Sequence, residues 1–255
     1  MSDSNRKIYV VTNAANPVGS AVCLSLAAAG SGVVACDADL VALTAMTKEL
    51  AAKGYQVSAQ QLELADVDTH EGICRDIVKS YGRPNGLVNN LLPMIEDESY
   101  ALLHELDFDC YKQVIARYVE GLFSFSKHCG KHLAVTDSLN SQGASPSCMP
   151  AIINLIPLRG YLPIAGHTAT VAASAAAVGM TRIWGAELRN TGIRVNGILA
   201  DQPDFGASHR PICRAVEPDD IAEAVKWMLS DAASYITGTL LPIDGGLSVA
   251  YMRNF

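Results

Sequence analysis

The chain has 255 residues, 49% of them apolar and 18% charged, with a formal net charge of −7, enough for one sizeable core in one domain. The charges are scattered and form no basic block, which argues against nucleic acid or an anionic membrane surface as a partner. No apolar run approaches a membrane span and residues 1–7 are too polar and short for a secretory leader; the seven cysteines are odd in number with no CxxC pair, so reduced thiols and a cytoplasmic setting are expected.

In chain order, Lys7–Thr12 (KIYVVT) reads as a first strand and Pro17–Ala29 as a helix that Gly30 can cap. Proline at the first helical turn is ordinary helix chemistry, but it removes one N–H. Gly32–Cys36 reads as a second strand ending at Asp37, where Asp37 or Asp39 could cap the helix carrying Leu40, Leu43, Met46 and Leu50. Gln56–Leu62 suggests a third strand, and Asp68 with Glu71 a capping pair for a helix to Tyr81. After Pro84, the run Gly86–Leu92 ends a fourth strand, with Asn89 and Asn90 placed to bind neighbouring strand backbone.

A helical stretch from about Asp107 to Leu133 is strongly apolar through Val114, Val119, Leu122, Phe123 and Phe125. Its His128 and His132 share a face, but no third ligand is indicated; a solvated face and no metal are expected. Residues 135–150 form a polar Ser/Gly/Pro-rich loop. Ala151–Ile156 has the length and β-branched content of a buried strand, and Gly166–Asn190 is a long helix rich in small residues. Gly192–Leu199 is a further strand, Glu217–Ser230 an amphipathic helix with Pro218 near N1, and Ile236–Ser248 a last strand and tail.

From Lys7 to Ser248 the chain resembles the short-chain dehydrogenase/reductase family, most strongly in GIRVNGIL (192–199) and ITGTLLPIDGGLS (236–248). The expected fold is α/β: a Rossmann-like, doubly wound parallel sheet in a single domain spanning residues 1–255. The resemblance implies a dinucleotide loop of the form Thr-Gly-x-x-x-Gly-x-Gly, of which only Thr12 and Gly19 remain. It implies an acid, Asp37, that would bind adenosine ribose and favour NAD over NADP, and an adenine-contacting acid near Glu63. It also implies an Asn-Asn-Ala-Gly strand end that keeps Asn89 and Asn90, while the larger Leu91 and Leu92 fill the space. Thr12, Gly19, Asp37 and Asn89 are thus the remnants of a cofactor site, and NAD is the cofactor if any is bound.

The same resemblance places Pro157 at the family's serine, Thr170 at its tyrosine, Ser174 at its lysine and Tyr118 at its asparagine. A general acid/base needs a pKa near working pH; an aliphatic hydroxyl is far too weak, Pro157 has no side-chain donor, and Ser174 carries no charge. The Pro-Gly that touches nicotinamide in relatives is replaced by Ala200 and Asp201. The expectation is a catalytically inactive subunit that assembles with an active short-chain dehydrogenase paralogue in an NAD-dependent alcohol dehydrogenase complex. Heteromers with one inactive chain are known in the family, one of them acting on an acyl-CoA. The family's subunit contacts use the 107–133 and 166–190 helices and the last strand and tail. Two alternatives stay open: an active NAD-dependent oxidoreductase with a relocated acid among Tyr118, Tyr161 and His167, and a homomeric ligand sensor.

Overall fold

A computed structural model describes residues 6–95, 100–133, 149–201 and 210–251. Seven strands form one sheet: β1 (Ile8–Thr12), β2 (Gly32–Asp37), β3 (Val57–Gln61), β4 (Gly86–Asn90), β5 (Ala151–Pro157), β6 (Arg194–Ala200) and β7 (Leu240–Ile243). All neighbours pair in parallel, in the order β3-β2-β1-β4-β5-β6-β7. The helices are α1 (Pro17–Ala28), α2 (Leu40–Ala52), α3 (His70–Tyr81), α4 (Phe108–Ile115), α5 (Gly121–Gly130), α6 (Thr168–Glu187), α7 (Pro218–Leu229) and α8 (Leu247–Tyr251). The expected doubly wound α/β architecture is the one observed.

Parallel strands covered on both faces need apolar side chains on both, and the period-two alternation sorts them. Val11, Val33, Ala35, Ile153 and Leu155 point to the side packed by α1, α2 and α7. Val10, Val34, Ile152 and Val195 point to the side packed by α3 and α5. Beyond them, α4, α5 and α6 enclose a third apolar cluster around Leu91, Met94, Tyr118, Ala169 and Ala173, over the carboxyl ends of β5 and β6. The first crossover runs outward from β1 and the later one returns to β4, so the sheet reverses direction between these two strands. Clefts form outside the carboxyl ends of strands at such a reversal.

Three local expectations are corrected. Asp68 does not cap α3: it lies in a short 3₁₀ turn, Val67–Thr69, that runs straight into the helix, and the Thr69 hydroxyl turns back to the Asp66 carbonyl (2.8 Å). The 107–133 helix is not continuous, because a π-helical turn, Ala116–Glu120, separates α4 from α5. The 166–190 helix starts later, at Thr168, and finishes in a 3₁₀ turn, Leu188–Thr191. Asp39, rather than Asp37, caps α2, accepting from the Val41 and Ala42 N–H groups (both 3.0 Å). Glu217 caps α7 in a reciprocal box with Asp220. The polar loop lies almost wholly outside the described residues.

Candidate functional site

The cleft at the β1–β4 reversal is closed by amides. Asn13, in the left-handed conformation at φ 46°, donates from its side chain to the Asn90 carbonyl (2.7 Å), and Asn90 donates back to the Asn13 carbonyl (3.0 Å). Asn16 donates to the same Asn13 carbonyl (2.9 Å), and its own oxygen accepts from the Gly19 N–H (2.9 Å) and from Asn90 (3.3 Å). Thr12 is fully buried and its hydroxyl accepts the Asn90 N–H (3.1 Å). Gly19 is required by contact within the chain: a Cβ there would stand 2.5 Å from the Asn13 carbonyl oxygen.

The acids near the cleft are engaged in the same way. Asp37 accepts the Ala15 N–H on one carboxylate oxygen (2.9 Å) and the Asp39 N–H on the other (3.0 Å). Glu63 receives two parallel bonds from Arg117, Nε at 3.2 Å and Nη2 at 2.9 Å. Asn89 bridges the Ser126 hydroxyl (2.9 Å) and the Asn154 side chain (2.8 Å), and Asn154 continues to Thr181 (2.9 Å), a buried polar chain tying β4 and β5 to α5 and α6. Such a satisfied network specifies a unique packing.

At the catalytic positions, the structure brings Thr170 and Ser174 together on one methionine. The Thr170 hydroxyl donates to the Met94 carbonyl (3.2 Å) and that of Ser174 lies 3.6 Å from the Met94 sulfur; all three residues are fully buried. Tyr118 is 1% exposed within the same apolar cluster, and Pro157 is buried at the end of β5. Gly160 presses on Ser174 so closely that a Cβ on it would be 2.3 Å from the Ser174 Cβ. Apolar packing thus surrounds the positions that the resemblance matches to the family's acid/base group. Of the relocated candidates, Tyr161 is 55% exposed, and His167 packs its edge on Tyr100 at 6.0 Å between centroids.

Several of the groups a dinucleotide would contact are bonded within the chain. Its pyrophosphate would need free N–H groups at the start of α1, but Pro17 has none and those of Ala15 and Gly19 are taken. Its ribose and adenine would meet Asp37 and Glu63, which already accept hydrogen bonds from within the chain. Between Asn16, Pro17, Leu92, Pro93 and Asp201 there remains a cavity of about 180 Å³, below the roughly 300–1,000 Å³ of ligand pockets. Asp201 itself is fully buried in an ion pair with Arg210 and separates this space from a cavity of about 440 Å³ along the β7 edge. Sequence reading missed Met94, Arg117 and Arg210, whose partners are brought to them only by the fold.

Among the described residues no cluster of three or more His, Cys, Asp or Glu could hold a metal ion, and no helix is long and apolar enough to cross a membrane. The described cysteines are free thiols; burial pushes Cys23 up to about 12 and raises Cys36 as well, which makes them inert.

Comparison with known proteins gives a family match over residues 14–248, to the family described as enoyl-(acyl carrier protein) reductase. The chain is 28% identical to 3-oxoacyl-[acyl-carrier-protein] reductase FabG of Thermotoga maritima, covering 95% of this chain and 98% of that one. It is also 28% identical to the (2S)-[(R)-hydroxy(phenyl)methyl]succinyl-CoA dehydrogenase subunit BbsD of Thauera aromatica, covering 95% and 97%. Among solved structures, a variant of actinorhodin polyketide ketoreductase with NADPH superposes with a TM-score of 0.83 at 22% identity, over 97% of this chain and 99% of that one.

Proposed function

We propose that this chain, which belongs to the short-chain dehydrogenase/reductase family, is a non-catalytic subunit that assembles with an active paralogue into an NAD-dependent alcohol dehydrogenase. The observation that carries the reading is the Met94 cluster: Thr170, Ser174 and Tyr118 occupy the catalytic positions and are buried against apolar side chains. Catalysis by proton transfer needs a titratable group within reach of a substrate oxygen, and among the described residues the Thr170 and Ser174 hydroxyls do not titrate near working pH while the Tyr118 side chain is 1% exposed inside the apolar cluster. The chain holds no NAD of its own, because its cleft groups already bind one another.

The relatives support the substrate class. They include a 3-oxoacyl-[acyl-carrier-protein] reductase and a subunit of a (2S)-[(R)-hydroxy(phenyl)methyl]succinyl-CoA dehydrogenase, so the complex is proposed to act on an acyl-CoA. The second of these is itself described as a subunit, which is the assembly form proposed here. The retained sheet, α5–α6 face and β7 tail provide surfaces for that assembly. The test is co-expression with the neighbouring paralogue, followed by calorimetric titration with NAD. The expected result is co-purification, silence from the lone chain and one NAD site per heterodimer. Micromolar NAD binding by the lone chain, or turnover lost on His167→Ala or Tyr161→Phe, would overturn it.

A further inference from the structure

The helix that begins at Phe108 opens at Ala116–Glu120 into a π turn, in which the Gly121 N–H donates to the Ala116 carbonyl. Such a turn inserts one residue into the helix and persists where surrounding contacts hold it. Here those contacts come from the segment after β3. Arg117, inside the turn, forks onto Glu63 (3.2 and 2.9 Å), and Glu63 is steadied by the Ala65 N–H (3.1 Å). Gly121, the first residue past the turn, sits so near Leu64 that a Cβ would lie 2.2 Å from its carbonyl oxygen. Burial pushes the Glu63 carboxyl up, but the Arg117 guanidinium and the Ala65 N–H outweigh it and hold the group below the usual carboxylate range.

Just beyond the turn, the Phe123 ring is 49% exposed with the Lys127 ammonium 6.0 Å from its centroid. Phe123 and Lys127, with Trp184 and Leu188 across from them, line an apolar cavity of about 440 Å³. Each residue inserted in a helix rotates all that follows by about 100°. The π turn therefore decides which way this face looks.

We propose that Glu63 and Arg117, with the Leu64–Gly121 contact, form a clamp that holds the π turn and so orients the Phe123–Lys127 face of α5. Its bearing on assembly rests on the subunit reading above; the clamp itself does not. Arg117 and Glu63 act as positioning residues, and Glu63, an acid that the family resemblance sets near a cofactor's adenine, serves here to aim a helix.

The first test uses the lone full chain in a Trp227→Phe background, leaving Trp184 as the reporter. Arg117→Leu is expected to speed amide hydrogen exchange across residues 116–121 and shift Trp184 emission to the red, and Glu63→Arg with Arg117→Glu to restore both. Unchanged exchange and emission in Arg117→Leu, or a swap that restores neither, would overturn the clamp. The second test uses the paralogue complex: Arg117→Leu is expected to weaken assembly roughly two- to fivefold. Assembly equal to wild type would overturn the link from clamp to face. A wild-type chain that fails to co-purify would instead overturn the subunit reading.

Discussion

The carboxylate of Asp37 has two oxygens, and both are spent on N–H groups of its own chain, at 2.9 and 3.0 Å. Each oxygen keeps a further lone pair, but a ribose hydroxyl would have to share that oxygen with the bound N–H, and displacing the N–H would leave a backbone donor without a partner, at about 1–3 kcal/mol. The same logic applies to Asn90, whose side chain is committed on both its donor and acceptor sides. His70 is a residue of a different kind. It is fully buried, its edge meets Phe125 at 5.4 Å, and its Nε2 lies 3.4 Å from the Glu63 carbonyl. Burial lowers its pKa below the ordinary value, aided by its place at the start of α3, where the helix dipole disfavours positive charge. The unfolded chain therefore binds this proton more readily than the folded one. Its contribution to stability is whole above about pH 6.5 and is lost as pH falls from there through the depressed folded value. Urea midpoints at about pH 7.5 and 5.5 should show this loss, and His70→Gln should reduce it.

At the scale of elements, the turn after β5 and α6 meet in a tight join at Gly160 and Ser174. Gly160→Ala would bring a Cβ to 2.3 Å from the Ser174 Cβ and 3.0 Å from the Ser174 carbonyl carbon, an overpacking expected to cost about 1–3 kcal/mol. Adding Ser174→Gly removes the side-chain part of the clash, so a double-mutant cycle measured by denaturant unfolding should show favourable coupling; strict additivity would count against the contact. The elements themselves were legible in the sequence because their signals are local: β-branched runs for β1 and β5, Pro218 with first-turn acids for α7. Pro157, Thr170 and Ser174 could be matched to the family's catalytic positions only through the resemblance, because they sit at fixed distances along one strand–turn–helix unit. The π turn was not legible, because Ala-Arg-Tyr-Val-Glu reads as ordinary helix and the residues that hold it lie across the chain at Glu63 and Leu64. Met94 escaped notice for a related reason. It belongs to no motif, and only folding brings it between Thr170 and Ser174.

For the whole molecule, a cleft that binds itself changes how the fold responds to ligand. A protein that binds NAD gains RT ln(1 + [NAD]/Kd) in stability, about 2.7 kcal/mol at a hundredfold excess over Kd. This chain is expected to show no rise in melting temperature as NAD is added, whereas its complex with the paralogue should rise; a dose-dependent rise in the lone chain would contradict the closed cleft. The apolar cluster around Met94 carries a last consequence, for mutational tolerance. In an enzyme the centre of the cleft tolerates almost no substitution, because each side chain there has a chemical duty. Here the side chains of Leu91, Leu158 and Ala173 are held by shape and volume, and interiors accept exchanges that conserve volume. If the chain is the non-catalytic subunit proposed above, this cluster should accordingly be open to variation between side chains of like size, while the immovable positions of this molecule are glycines such as Gly19, Gly121 and Gly160, where backbone meets backbone or a close neighbour.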